Sequence, residues 1–138
     1  MNARSKAALG ALLAPVLWAG CSSQPVRLAT GPEIPAAQGT VKAETTDNRN
    51  TRLDLTVRHL APPEKIAASA TTYVVWAQPV SGGQPSNLGA LQINADREGR
   101  ISTTTPLHDF KLFVTAEPSG QAQAPSGEQL LWTDISSG

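Results

Sequence analysis

One cysteine, two histidines and eleven carboxylates are the side chains with which this protein could do chemistry. Cys21 closes the apolar run in LWAGCSSQ and is followed at once by Ser22, Ser23 and Gln24. By type it suits a nucleophile, a metal ligand, half of a disulfide, a buried hydrophobe or a lipid acceptor. A nucleophile needs a base held within hydrogen-bond reach, and the polar residues after Cys21 offer none. With no second cysteine, a disulfide within the chain is excluded. His59 follows Leu53, Leu55 and Val57 in phase. That position predicts a partly buried, hydrogen-bonded histidine at a sheet edge rather than a metal ligand. His108 precedes Asp109 in a proline-containing turn. A His–Asp pair can orient a base, but neighbours on an extended chain point to opposite sides, and no serine stands in a nucleophile-elbow pattern. Metal sites need three or four converging ligands, and NADREG (Asn94–Gly99) lacks the ligand spacing of a calcium loop. It reads as a hairpin turn in which Gly99 supplies positive φ. No glycine loop of the phosphate-cradling kind follows a strand and opens a helix. The expectation is a chain with no catalytic residue, no metal and no cofactor.

The setting of Cys21 narrows its role. Arg4 and Lys6 precede Ala7–Ala19, 13 residues without charge. As a helix this run reaches about 20 Å at about 1.5 Å per residue, short of the roughly 30 Å of a hydrocarbon core. A positive start followed by a short apolar run reads as an export signal, and Pro15 inside it disfavours a long continuous helix. An ordinary leader peptidase wants small residues three before and one before the cut; a cut before Cys21 places Gly20 well but Trp18 badly. A secreted protein with a free or buried cysteine is one reading. The stretch Leu17-Trp18-Ala19-Gly20-Cys21 also resembles the lipobox of bacterial lipoproteins. Ala19, Gly20 and Cys21 match it, while Trp18 stands where an aliphatic residue is usual. The resemblance implies cleavage before Cys21, a diacylglyceryl thioether on its sulfur and an acyl group on its new amine. At about 0.8 kcal/mol per buried CH2, two or three such chains hold a small domain at a membrane. Ser22 rather than Asp after the cysteine implies, in enterobacterial-type sorting, the outer membrane facing the periplasm.

Charge excludes one class of partner. The formal net charge is zero, and beyond the leader 9 basic residues stand against 11 acidic ones. No basic field attracts a nucleic-acid backbone. Aromatics are few, and Thr, Ser, Ala, Gly and Pro abound, a mixture that suits a small β domain with many turns.

Three regions follow: a signal peptide over 1–20, Cys21 with a Pro/Gly-rich tether over 21–38, and a folded domain over 39–136. Pro25, Pro32 and Pro35 punctuate the tether, and no strand or helix period is evident there. From Gly39 on, alternation takes over. TRLDLTVRHL sets Leu53, Leu55 and Val57 against Arg52, Asp54, Thr56 and Arg58, a strand with one dry face. TTYVVWAQ is apolar on both faces, as a central strand is, which predicts Trp76 in the core. TVKAETT, NLGALQIN, GRISTTT, DFKLFVTAE and EQLLWTDI complete the series, with Gly89 marking a bulge. About seven strands with such punctuation predict a single immunoglobulin-like antiparallel β-sandwich. In that topology the links 60–70, 94–100 and 117–128 gather at one end. The same end would carry the tether, so those loops would face the membrane.

YVVWA (Tyr73–Ala77), a Gly/Pro-rich turn, NLGAL (Asn87–Leu91) and FKLFVTAEPSG (Phe110–Gly120) together resemble the extracytoplasmic domain of anti-sigma-K-type factors. The resemblance covers roughly residues 71–132 and implies a β-sandwich outside the cytoplasm. In that family the domain follows a membrane helix and a sigma-binding region; this chain shows neither motif, so sigma binding is not carried over. The expected function is a membrane-anchored envelope lipoprotein with a non-catalytic binding or structural module, partnered by the membrane through Cys21 and by an envelope protein. The alternative is an accessory role in envelope stress sensing.

Overall fold

The structure, a computed structural model, describes residues 24–137, so Cys21 and the leader lie outside the described residues. Alternation becomes strand wherever the sequence shows it. The strands are β1 (Val26–Arg27), β2 (Ala29–Thr30), β3 (Gln38–Thr45), β4 (Thr51–Arg58), β5 (Thr72–Pro79), β6 (Ser86–Leu91), β7 (Gly99–Thr105), β8 (Asp109–Glu117) and β9 (Leu131–Ser136). One helical turn, α1 (Pro63–Ile66), opens with proline at its first position, where the missing N–H costs nothing.

All pairings are antiparallel. They form a sheet of four strands, β1-β3-β4-β7, and one of five, β2-β9-β8-β5-β6. The expected all-β sandwich is therefore the fold, with β3 to β9 as its seven main strands. Three of these face four, because β6 stays beside β5 instead of crossing to the first sheet. Val41, Leu53, Leu55 and Val57 of the first sheet pack against Tyr73, Val75, Leu112 and Val114 of the second.

The stretch expected as a tether is, from Val26 onward, part of the sandwich. β1 pairs with β3 in one sheet and β2 with β9 in the other, so a single segment straddles both. Leu28, between them, is 4% exposed, and Ile34 and Ala37 are buried with it. The Leu28 amide donates to the Gly39 carbonyl (2.9 Å) and the Gly31 amide to that of Leu130 (2.8 Å). Two strands of two residues are too short to show a period, while Pro32 and Pro35 fall at exposed turn positions that tolerate them.

Trp76 is fully buried, but not between the sheets. With Val74 and Phe113 it forms a second, smaller cluster on the outer face of the five-stranded sheet, flanked by Ala122 and Trp132. The Trp76 and Phe113 rings stack with centroids 6.5 Å apart and planes 19° from parallel. A strand with apolar residues on both sides needs cover on both. The long β8–β9 link, residues 118–130, supplies the outer cover.

The links β4–β5, β6–β7 and β8–β9 meet at one end, as expected. The chain does not arrive from that end. β1 joins the sheet edge at mid-height, with Val26 opposite Val41, and then runs toward the loop end.

Replacing Leu28 by alanine is expected to lower stability by about 2–4 kcal/mol, since the site is a core position between strands of both sheets. Urea unfolding measures it. Unchanged stability would return residues 24–38 to the status of a tether.

Candidate functional site

The loop end carries a cleft of about 580 Å³ between the β4–β5 link, the start of β5 and the end of β6. Pro62, Pro63 and Glu64 form one wall, Leu91, Gln92, Ile93 and Asn94 the other, with Thr71, Thr72, Tyr73, Ala90 and Gly120 completing the lining. Each wall has a local cause. The paired prolines hold the β4–β5 link extended until α1 begins. The opposite wall turns back on itself because the Asn94 side-chain oxygen accepts from the amides of Asp96 (3.0 Å) and Glu98 (2.9 Å). Arg97 supplies the left-handed residue of that turn, with φ of 61°. Gly99, expected in that role, serves another: a Cβ there would lie 2.7 Å from Ile93 Cδ1 and 2.8 Å from the Gln92 carbonyl. The glycine lets the two strand ends close.

Tyr73 lies at the floor, its hydroxyl donating to the Ala61 carbonyl at 2.5 Å. Burial, with the charge of Glu64 adding to it, pushes its ionisation up to about 12. The phenol is thus a neutral strut tying β5 to the β4–β5 link. Around it the cleft offers the Glu64 carboxylate, the carboxamides of Gln92 and Asn94 and the hydroxyls of Thr71 and Thr72, set among Pro, Leu and Ile. Such a lining can hydrogen-bond a polar ligand while a dry wall takes its apolar part.

The third loop is fastened to the same end by Glu117. This last residue of β8 is fully buried. Its carboxylate accepts from the Ser126 amide (3.1 and 3.0 Å to its two oxygens), the Gly127 amide (3.2 Å), the Thr115 hydroxyl (2.5 Å) and the Ser126 hydroxyl. Trp76 Nε1 donates in turn to Thr115 Oγ1 at 2.9 Å. Burial pulls the carboxyl's proton affinity up, but the donors from Ser126, Thr115 and Gly127 outweigh it and hold the pKa below the ordinary carboxylate value. On the neighbouring edge, the Asn87 amide donates to the carbonyls of Gly120 (3.0 Å) and Ala122 (2.8 Å), while its oxygen accepts from the Gly89 amide (2.8 Å). The bulge expected at Gly89 is present, with φ of 131° and a register shift opposite Val75 and Trp76.

The sequence-predicted candidates are scattered. His59 is exposed, not partly buried, because the strand ends at Arg58 and His59 turns left-handed with φ of 56°, breaking the phase. His108 lies at the opposite end, where its Nδ1 is 3.5 Å from Ser137 Oγ. Asp109 points elsewhere and accepts from the Ser136 hydroxyl at 2.8 Å. Cys21 lies outside the described residues. Glu117, Asn87 and the strut function of Tyr73 were not singled out from sequence. The available signal was spacing: Thr115 and Glu117 share the β8 face that carries Phe113, which marks a polar extension of an apolar stripe under a long loop.

Glu117→Gln is expected to cost about 2–3 kcal/mol at neutral pH, the scale of hydrogen bonds to a charged group. Its pH dependence has a definite sign. Because the folded-state pKa is depressed, the stabilisation is complete above the unfolded value of about 4.3 and is lost as pH falls through the folded value. Urea unfolding at neutral and acid pH should show the wild type converging on the variant; a constant gap would remove the charge from the explanation. Tyr73 is the one tyrosine in the chain, so ultraviolet titration reads it alone. Its absorbance change should wait until pH is about 12, and the stability linked to a raised pKa is present below about 10 and lost above. Tyr73→Phe should cost about 1 kcal/mol; phenol ionisation near 10 would contradict the buried strut.

No family model matches the chain, and a search of curated proteins finds no match either, so the reading of its function rests on its own residues.

Proposed function

We propose that this chain is a lipid-anchored module of the bacterial cell envelope, acylated on Cys21, whose sandwich offers the cleft at its loop end to a partner. The observation that carries the reading is the way the chain runs into the fold. Only residues 22–25 separate Cys21 from β1, a contour of at most about 18 Å at 3.3–3.6 Å per residue. A domain anchored there stays close to the bilayer instead of floating on a long leash. β1 then runs toward the loop end. The incoming chain therefore enters at the sheet edge, clear of the cleft. The cleft's mix of a carboxylate, carboxamides and hydroxyls among proline and aliphatic side chains favours binding of a polar partner such as another envelope component.

Mass spectrometry of the mature amino terminus tests the anchor. A diacylglyceryl thioether on Cys21 is expected, and Cys21→Ser should abolish it and leave the leader uncleaved. A free thiol, or an amino terminus elsewhere, would overturn the reading.

A further inference from the structure

The outer face of the four-stranded sheet has an uneven charge. Its register places Arg27, Thr40, Thr56 and Arg100 in one cross-strand row. The rows on either side hold Gln38 with Arg58, and Lys42 with Asp54 and Ser102; the next holds Glu44 with Arg52 and Thr104. In the half farther from the cleft, charges are matched. Glu44 pairs with Lys42 (3.1 Å) and Arg52 (2.6 Å), Arg52 approaches Asp54 (3.8 Å), and Ser102 donates to Asp54. The half nearer the cleft carries Arg27, Arg58 and Arg100, all exposed, around Gln38, Thr40 and Thr56. Among the described residues no carboxylate lies within ion-pair distance of these three arginines. Glu98 stands at the margin, where Thr56, Arg58, Asn94 and Arg100 border a shallow depression of about 290 Å³. A domain with more acidic than basic residues thus keeps an unmatched cationic triad on one sheet face. At a strand spacing of about 4.8 Å the triad spans about 14 Å, wide enough for several headgroups and too wide for a single phosphate.

We propose that this face docks onto an anionic lipid surface, with Arg27, Arg58 and Arg100 as its contacts. The proposal deepens the anchored-module reading. Arg27 lies on β1, the edge strand to which residues 22–25 lead from Cys21, so an anchor there brings this sheet edge to the headgroups. Guanidinium groups suit lipid phosphates because they offer forked donors, and each cation near an anionic bilayer contributes about 1 kcal/mol. Acyl chains and a basic face are complementary signals for stable membrane association.

The test uses the mature chain from residue 21 on, carrying Cys21→Ser, so that neither acyl chains nor the apolar leader contributes and any binding belongs to the face. Its sedimentation with vesicles of phosphatidylcholine is compared with that on vesicles of phosphatidylcholine mixed with phosphatidylglycerol. Binding to the anionic vesicles alone is expected, weakening as salt shortens the screening length. Arg27→Gln, Arg58→Gln and Arg100→Gln combined should reduce it roughly 100-fold, with an unchanged urea midpoint showing that the fold is kept. Arg49→Gln, at the β3–β4 turn off this face, should leave binding unchanged. Equal binding to both vesicle types, or an equal loss from Arg49→Gln, would overturn the proposal. So would competition by inorganic phosphate beyond that of chloride at matched ionic strength, which would indicate a free-anion site. An unacylated Cys21 with intact vesicle binding would remove the anchor reading and leave this one standing.

Discussion

Glu117 ends β8 without exposure to water, and among the described residues its charge meets no cation, only hydrogen-bond donors from Thr115, Ser126 and Gly127. Burying an ionised carboxylate is costly unless its oxygens are well supplied with donors. Here, Thr115 apart, the supply comes from the loop that the carboxylate fastens. The loop closes over Trp76 and Phe113, and closing it completes the shell around Glu117. Each half of the arrangement makes the other possible. An apolar residue in place of Glu117 would suit the burial but would leave the Ser126 and Gly127 amides unpaired in a partly dry site, which carries its own penalty. The charge therefore specifies one conformation for a loop rich in Pro, Gly and Ser, whose composition favours none. The fixed loop also sets Gly120 at the rim of the cleft.

The readable part of the sequence was the part governed by period. β7 and β8 match the segments GRISTTT and DFKLFVTAE, because alternating burial writes itself into successive residues. Leu53, Leu55 and Val57 fall on the buried face as read. What escaped reading depends on single residues or on contacts far apart in the chain. Leu28 and its two short strands give no period, yet the segment joins both sheets. Trp76 was expected to be buried, and it is. Periodicity cannot tell which of two apolar faces meets the other sheet and which meets a loop. His59 follows the phase of its strand in sequence, but one left-handed residue ends the strand before the phase applies. At the cleft, the turn at NADREG was legible. Tyr73 as a strut required knowing that Ala61 lies within reach of its hydroxyl, a contact of tertiary structure.

The two sheets divide the use of their outer faces. The five-stranded sheet is apolar on both sides at Val74, Trp76 and Phe113, so its outer face must be covered, and the β8–β9 link is spent on that. The four-stranded sheet is apolar on one side only. Its outer face needs no cover and remains polar and largely exposed. The same division keeps the loops at one end free for different tasks: the β8–β9 link clamps, while the β4–β5 and β6–β7 links open to form the cleft.

An exposed polar sheet still has to be kept from pairing with other sheets, and charge is the usual means. Mutual pairing would do this as well as an excess of one sign, and Lys42, Glu44, Arg52 and Asp54 show the paired solution on this very face. Continuing that pattern one row further would have required only a carboxylate at Thr40 or Thr56, between Arg27 and Arg100. Both positions instead carry threonine, a side chain with strong strand preference and no charge. Threonine keeps the strand geometry and leaves the arginines unmatched. Strand formation alone would accept either choice, so the unmatched charge is a feature separate from the fold. Edge position adds to this, because β1 is both the strand that carries Arg27 and the strand through which the chain joins the sandwich. A cationic face bordered by the incoming chain is oriented by whatever holds that chain.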